Sequence, residues 1–316
     1  IFSFIQLFSI FFFQNLFSIH RFDPRLVSEQ ELLQLTEEFK HEDDLCFDLE
    51  NNLETKCTRG IAKIKPTTLM IYMAADNDLH LFALRNIKQM ELIGSNENIN
   101  IVIQLSTPGH LNYTKRYLIQ KGQRILIETL NEKINSGSPY SLINFVEWTV
   151  KNFPAEHYHL DLWNHGTGGG DPAQIRTINP CDLFYCNPSN NMLEIDRGLS
   201  YLSLILQFAK EESFTPKKGI CFDETFKSYI SNQELEFALS EICTRILNGK
   251  KLAILSFDAC LMSMIEISSA AKKYAQYMVS SQEVEFGTGW DYEQTLKPFL
   301  TKSLTPYEFA QQIVSA

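Results

Sequence analysis

Two short apolar segments each end in a side chain that could carry out covalent catalysis. LDLWNHGTGG at 160–169 leads into His165, and LAILSFDAC at 252–260 leads into Cys260. Short apolar runs bounded by turn residues are typical of buried parallel strands. Open α/β sheets place their chemistry beyond the carboxyl ends of such strands, so the two side chains can meet. A thiol and a neighbouring imidazole are the two groups that a cysteine nucleophile and its general base require.

The surroundings of Cys260 favour a nucleophile over the commoner buried core cysteine. A helix beginning near Leu261 would direct its first N–H groups at the thiol, which favours thiolate and supplies amides for an oxyanion. The neighbouring Asp258 needs a solvated or paired site, which argues against a plain core position.

His165 has a structural and a chemical interpretation. A histidine after a strand is more often a satisfied structural residue. The glycine-rich stretch that follows favours a catalytic role instead, because its backbone can approach a substrate closely. His165 could then take the thiol proton, and Gly166 could supply an amide to the oxyanion.

Two acids could select a basic substrate side chain. Asp258 and Asp291 each could hold Arg or Lys through a charge-assisted hydrogen bond. Asp258 could instead be a structural partner of a backbone amide, and Asp291 an ordinary N-cap of a helix starting near Glu293. A serine nucleophile at Ser280 or Ser281 is not expected, because no G-x-S-x-G surrounds them.

The elements that must position these residues alternate between strand and helix. This order predicts a mainly parallel sheet with helices on both faces. The predicted strands are 67–74, 100–105, 157–163, 219–222, 252–257 and 277–281, with a hairpin over 115–128; the predicted helices are 79–93, capped by polar residues 75–78, then 139–153, 199–210, 231–247, 262–274 and 306–316.

Composition limits the partners and the redox setting. The chain has 316 residues and a net charge of -10, which disfavours nucleic-acid binding. If six of the seven cysteines paired, Cys260 would be the natural one left over. Cys181 and Cys186 could close a small loop, and we expect no metal there because no histidine lies at a zinc-finger spacing.

The N-terminal residues predict export. Residues 1–20 begin with a Phe-rich run without charge and indicate a signal peptide or a membrane anchor, a mis-assigned start or a soluble helix being the alternative. Residues 21–65 are interpreted as a pro-segment or linker. Residues 66–316 form the main domain, whose last helix is still in pattern when the sequence stops, which we interpret as a C-terminal truncation.

Four segments together resemble the clostripain family of cysteine peptidases. They are MIYMAADNDL (70–79), LDLWNHGTGG, SFDAC (256–260) and VSSQEVEFGTGWDY (279–292), in this order. The resemblance covers residues 66–316 and implies a caspase-like α/β/α sandwich. It further implies His165 and Cys260 as the catalytic dyad and Asp258 as the acid of the S1 pocket. A second S1 acid is expected downstream, at Asp291 with Glu285 as the competitor.

The resemblance also implies an activity. The chain would be an endopeptidase that cuts polypeptides after Arg or Lys, with no required cofactor, although some family members use calcium. Several members cut themselves between the His and Cys strands. An insertion at about 170–230 could be a permanent lid or could carry such sites, at Arg176, Arg197, Lys210, Lys217 or Lys218.

Two alternatives remain open. The chain could be a non-catalytic protein that keeps the peptide groove of the same fold. It could also cut after Asp or Asn, but acids at 258 and 291 would repel an Asp side chain. Membrane contact is expected through residues 1–19 alone, if these are retained.

Overall fold

A computed structural model describes most of the chain from residue 63 onward. The described residues are 63–108, 114–130, 132–168, 219–285 and 287–316, the backbones of 184–187 and 192–195, and Gln34 and Glu37. The predicted export segment lies outside them, as do nearly all of the pro-segment, most of the predicted insertion, the helix 199–210 and the proposed self-cleavage residues.

A seven-stranded sheet forms the centre of the fold, with strand order β11-β10-β5-β1-β2-β3-β4. The first five strands in this order run parallel, and β3 and β4 are antiparallel at one edge. The strands are β1 Lys65–Ala74, β2 Ile99–Ser106, β3 Lys115–Gln120, β4 Gln123–Thr129, β5 Ala155–Trp163, β6 Phe184–Asn187, β7 Met192–Ile195, β8 Gly219–Asp223, β9 Ser228–Ser231, β10 Leu252–Asp258 and β11 Ala275–Val279.

Helices cover both faces of this sheet. In the described residues they are α1 His80–Ile93, α2 Pro139–Asn152, α3 Asn232–Glu241 with a π-helical extension Ile242–Ile246, α4 Ile265–Tyr274, α5 Tyr292–Leu296 with a 3₁₀ turn Lys297–Leu300, and α6 Pro306–Ser315.

Alternation along the central strand explains the three layers. Successive side chains of a strand point to opposite faces. On β1, Leu69, Ile71 and Met73 pack with α1, α5 and α6, whereas Met70 and Tyr72 pack with α2, α3 and α4. The strand is therefore buried on both sides, as a continuous apolar run in a parallel sheet predicts. The α/β/α sandwich expected from the sequence is confirmed.

Strand register brings three polar loops to one edge of the sheet. Met73 of β1 lies beside Trp163 of β5, and Trp163 lies beside Asp258 of β10. Since the three strands run parallel, the residues that follow each of them emerge together at the carboxyl edge.

Three local predictions are corrected by the structure. Helix α4 begins at Ile265 and not at 262, because Leu261 turns the chain at φ 62 and the amides of Leu261 and Ser263 donate to carbonyls of Glu283 and Ser281. The predicted cap of α1 by residues 75–78 narrows to Asn77, whose Oδ1 accepts from the Leu79 N–H at 3.0 Å and whose carbonyl accepts from the His80 N–H at 3.3 Å, while the Leu79 side chain makes no capping bond. Strand β9, which forms a hairpin with β8, was not predicted.

Further findings concern cysteines and membranes. Cys221, Cys243 and Cys260 are all free thiols. Three free thiols leave at most four of the seven cysteines to pair, so the arrangement with six paired cysteines is wrong. The other four, Cys46, Cys57, Cys181 and Cys186, lie outside the described residues. Among the described helices, none has both the length and the apolar composition that a membrane span requires.

Candidate active site

His165 lies two residues beyond the end of β5 and is oriented by a carboxylate. Its Nε2 is 2.7 Å from Oδ1 of Asp78, which follows β1 at the same sheet edge. The His165 side chain is 20% exposed and that of Asp78 is 75% exposed. The hydrogen bond from His165 lowers the pKa of Asp78, so the carboxylate stays ionised beside the ring.

Asn164 fixes the backbone just before His165. Its Nδ2 donates to the carbonyl oxygens of Ala74 and, at 3.2 Å, of Phe222. Its Oδ1 accepts from the Phe222 amide at 2.8 Å. This buried amide joins the ends of β1, β5 and β8, so the imidazole is carried on a rigid loop.

Gly166 brings the histidine loop against the cysteine loop. A Cβ at this position would lie 2.5 Å from the carbonyl oxygen of Cys260 and 2.9 Å from the Met262 side chain. A glycine is therefore required for the close approach of the two backbones. This contact shows that the loops after β5 and β10 are adjacent, as the strand register predicts.

Cys260 is covered by the segment Ser281–Glu285, which follows β11. Leu261 donates its N–H to the carbonyl of Glu283, and Ser263 donates to that of Ser281. The Glu285 amide donates to the thiol sulfur at 3.3 Å. Cys260 is consequently 8% exposed.

The environment of the thiol differs from the one expected. Burial raises the pKa of Cys260 to about 12 and outweighs the hydrogen bond from the Glu285 amide. Helix α4 begins five residues after Cys260, so its N-terminus is not adjacent to the sulfur. Leu261, at φ 62, makes the turn instead. The prediction of thiolate stabilisation by a helix N-terminus at Leu261 is wrong for this conformation.

Asp258 lies at the end of β10, two residues before Cys260, and is 4% exposed. Its Oδ2 accepts from the Trp290 amide at 3.2 Å and from the Tyr292 hydroxyl at 2.9 Å. Gly289, at φ 63, lets the loop wrap this closely, because a Cβ there would lie 2.7 Å from the same oxygen. Burial raises the pKa of Asp258.

Of the two candidates for the second acid, Glu285 and not Asp291 contacts Asp258. The Glu285 carboxyl shares a hydrogen bond with Asp258 and accepts another from the Trp290 side chain. The Asp291 side chain is exposed and accepts from the Gln294 amide at 3.0 Å, which makes it the N-cap of α5. Asp291 therefore takes the N-cap position that was its alternative interpretation, and Glu285 is the candidate that interacts with Asp258.

A buried polar chain extends from Asp258 into the sheet. The Tyr292 hydroxyl oxygen also lies 2.9 Å from Oδ2 of Asp161 on β5, so it bridges the two carboxyl groups. Ser256 donates to the other Asp161 oxygen at 2.6 Å and lies 2.6 Å from Nε2 of His159. Burial lowers the pKa of His159 to about 3, so this histidine is neutral.

These acidic residues do not form a metal centre. Within the described part of the chain, no group of three or more His, Cys, Asp or Glu side chains is arranged to hold a metal ion. A calcium requirement stays a prediction from the family resemblance.

Sequence reasoning missed Asp78 and Asp161 as members of the site. The rule that found His165 and Cys260 applies to Asp78 as well, because Asp78 follows an apolar strand, but its polar neighbours suggested a helix cap. Asp161 lies inside a strand, and its hydrogen-bond partners there cannot be predicted until the neighbouring strand is known.

Comparison with known families shows which proteins the chain resembles. The clostripain family model matches residues 71–195 and 207–316. Clostripain from Hathewaya histolytica is 22% identical over 260 residues, which cover 73% of this chain and 42% of that protein. The chain thus spans about two fifths of the length of this curated relative.

Solved structures share the fold. A secreted C11 cysteine protease from Bacteroides thetaiotaomicron, bound to an irreversible peptide inhibitor, superposes with a TM-score of 0.51 at 18% identity, covering 79% of this chain and 58% of that one. An inactive zymogen C11 protease from Parabacteroides distasonis gives a TM-score of 0.51 at 22% identity, covering 81% and 60%.

Proposed function

The chain belongs to the clostripain family, and from this premise we propose that it is a cysteine endopeptidase that cuts polypeptides after Arg or Lys. The observation that carries the proposal is the adjacency of the two strand-end loops. The Gly166 backbone lies against the Cys260 carbonyl, so His165 and Cys260 leave the sheet side by side.

His165 acts as the general base in this proposal. It removes the proton from the Cys260 thiol and later returns one to the leaving amine. Asp78 holds the ring through Nε2, which favours the tautomer with the proton on that nitrogen and fixes the orientation of the imidazole. Amides near Gly166 and Cys260 would hold the oxyanion of the tetrahedral intermediate.

The buried thiol requires a conformational step before attack. A thiol with a pKa of about 12 is protonated at neutral pH and is shielded by Ser281–Glu285. Displacement of this segment by a substrate would expose the sulfur to water and to His165, which lowers the desolvation cost of the thiolate. The structure is therefore interpreted as a closed form of the enzyme.

Asp258 recognises the basic side chain at the cleavage site. A carboxylate at the floor of a closed site binds a guanidinium or an ammonium strongly because water is excluded. We propose export of the protein, in line with the secreted relative, and self-processing between residues 170 and 230.

Turnover of an Arg-containing reporter peptide tests the proposal. Cys260→Ala and His165→Ala should each reduce turnover by about 10⁴-fold or more, because both groups act in the chemical step. Cys243→Ala removes another buried free thiol, in the π-helical extension of α3, and serves as the control that should stay active. Undiminished turnover in Cys260→Ala would refute the proposal, and Arg-peptide binding by the wild type without turnover would favour a non-catalytic binding protein.

A further inference from the structure

Four buried polar side chains lead through the sheet to Asp258 and have no part in the reaction proposed above. They are His159 and Asp161 of β5, Ser256 of β10 and Tyr292 of α5. All four are at most 2% exposed. Buried polar groups find their hydrogen-bond partners within the protein, so the protons along this chain of side chains can be counted.

Tyr292 lies between two carboxyl groups but can donate to one of them only. Its oxygen is 2.9 Å from Oδ2 of Asp161 and 2.9 Å from Oδ2 of Asp258. A phenol has one proton, and an ionised carboxylate can only accept. Both contacts are therefore hydrogen bonds only if one of the two carboxyl groups carries a proton and donates it to the phenol oxygen.

The surroundings of the two carboxyl groups assign this proton to Asp161. Oδ2 of Asp258 also accepts from the Trp290 amide at 3.2 Å, so it behaves as a carboxylate oxygen that accepts two hydrogen bonds. Oδ2 of Asp161 faces the phenol, while its Oδ1 accepts from Ser256 at 2.6 Å. Burial, followed by the charge of Asp258, raises the pKa of Asp161 to about 7, in agreement with this assignment.

His159, at the far end, fits the same direction of donation. Ser256 donates its one proton to Asp161, so the 2.6 Å contact between Ser256 Oγ and Nε2 of His159 requires a proton on Nε2. Nδ1 is then a bare acceptor, and it is buried without a hydrogen-bond partner among the described residues. A charged imidazole would place an unpartnered N–H donor and a charge there, which is far more costly.

We propose that Asp161 and Tyr292 are positioning residues for Asp258, and that Asp161 acts through the proton it carries and not through a charge. The hydrogen bonds then run in one direction. His159 donates to Ser256, and Ser256 donates to Asp161. Asp161 donates to Tyr292, whose own proton is thereby directed at Asp258. This inference rests on the proposed function in one respect, the binding of substrate by Asp258; neither positioning residue is proposed to contact substrate.

The proton on Asp161 lowers the electrostatic cost of the arrangement. Two ionised carboxylates in contact with one phenol would repel each other where water is excluded. With Asp161 neutral, Asp258 keeps its charge, and aligned hydrogen bonds strengthen one another and hold its side chain in one orientation.

Infrared difference spectroscopy detects the proposed proton without an assay of activity. A protonated carboxyl group has a C=O stretching band that an ionised carboxylate lacks. In a Cys260→Ala background, which prevents self-processing, the spectrum of the full chain at mildly acidic pH is compared with that of Asp161→Asn. The difference should contain this band, and the band should shift when Tyr292→Phe removes its partner. Other protonated carboxyl groups are common to both proteins and cancel.

Kinetics of the same variants, with Cys260 intact, test the positioning role. Asp161→Asn keeps both links, because its oxygen accepts from Ser256 and its NH₂ group donates to Tyr292, so we expect kcat/KM for an Arg reporter within about twofold of wild type. Asp161→Ala and Tyr292→Phe break the chain of hydrogen bonds, and we expect falls of about tenfold, mainly through KM, with a much smaller change for a neutral P1 peptide. Tyr277→Phe removes a phenol of β11 outside this chain and is the matched control.

Each outcome decides one claim. Tyr292→Phe removes a single oxygen and carries the kinetic test if thermal unfolding shows that Asp161→Ala is not folded. Absence of the infrared band, or equal losses in Asp161→Asn and Asp161→Ala, overturns the inference and leaves the peptidase proposal intact. Equal losses on Arg and neutral peptides in Tyr292→Phe also overturn it. Absence of wild-type turnover would contradict the proposed function, while the infrared band would still support the proton on Asp161.

Discussion

The loops that carry His165 and Cys260 are neighbours in the sheet but lie in opposite environments. The histidine side chain is partly exposed and paired with an ionised carboxylate, whereas the cysteine is 8% exposed and its pKa is raised to about 12. In the proposed dyad, the imidazole is therefore accessible to solvent, whereas the thiol is shielded and protonated at neutral pH. The difference indicates that access to the thiol, controlled by residues 281–285, determines when the site can react.

The largest expected effect is on the reactivity of the covered thiol. At neutral pH, a pKa of about 12 against about 8.5 for a free cysteine reduces the thiolate fraction about a thousandfold. Iodoacetamide should alkylate Cys260 slower by about this factor than the unfolded chain, and the rate should rise about tenfold per pH unit above 7. Peptide mass spectrometry measures the modification. Alkylation as fast as in the unfolded protein would show that the nucleophile is not covered.

The contact between the two loops gives the next largest effect. Gly166→Ala places a Cβ 2.5 Å from the Cys260 carbonyl, so the loops must separate and the dyad is displaced. We expect kcat/KM for an Arg reporter to fall about 100-fold, since a small misplacement of reacting groups has effects of this size. Thermal unfolding of the variant distinguishes displacement from loss of the fold. A folded variant with full activity would contradict the adjacency.

The acid on the cysteine side should affect specificity. Asp258→Asn removes the charge that holds the P1 cation, and we expect kcat/KM for Arg peptides to fall about 10- to 100-fold. A peptide with a neutral P1 residue should lose much less. Asp291→Asn, which retains an N-cap at α5, is the matched control. An equal loss on both peptides would remove Asp258 from the S1 pocket.

The smallest effect is expected at the carboxylate on the histidine side. Asp78→Asn weakens the hold on the imidazole, and we expect kcat to fall about tenfold with little change in KM, less than for a buried triad acid because Asp78 is exposed. The His165 contact lowers the pKa of Asp78, so its benefit is present at neutral pH and is lost as pH falls through that lowered pKa. The kcat ratio of wild type to variant should therefore approach one at acidic pH. A ratio that does not change with pH would assign Asp78 a purely structural role.

Strand patterns predicted the sheet and the placement of the dyad because both depend on local information. Apolar runs in β1, β5 and β10 indicated buried parallel strands, and a strand's end defines where its next side chain emerges. Ser231, predicted to begin a helix, is the N-cap of α3 in a full capping box, another local signal.

The surroundings of the dyad depend on contacts between distant segments. The pairing of residues 281–283 with 261–263 delays the start of α4, and no propensity at Leu261 reveals it. Asp291 and Glu285 are similar acids only six residues apart. Their roles differ because one caps a helix and the other turns inward to Asp258, which depends on the path of the loop.

Covalent labelling by a peptidyl-arginine chloromethyl ketone tests the central claim most directly. The account predicts one adduct per chain, at Cys260, with labelling strongly reduced in His165→Ala and with a norleucine analogue in place of arginine. Labelling at another cysteine, or labelling of Cys260 that is unaffected by the loss of His165, would contradict the claim that these two strand ends form one peptidase site.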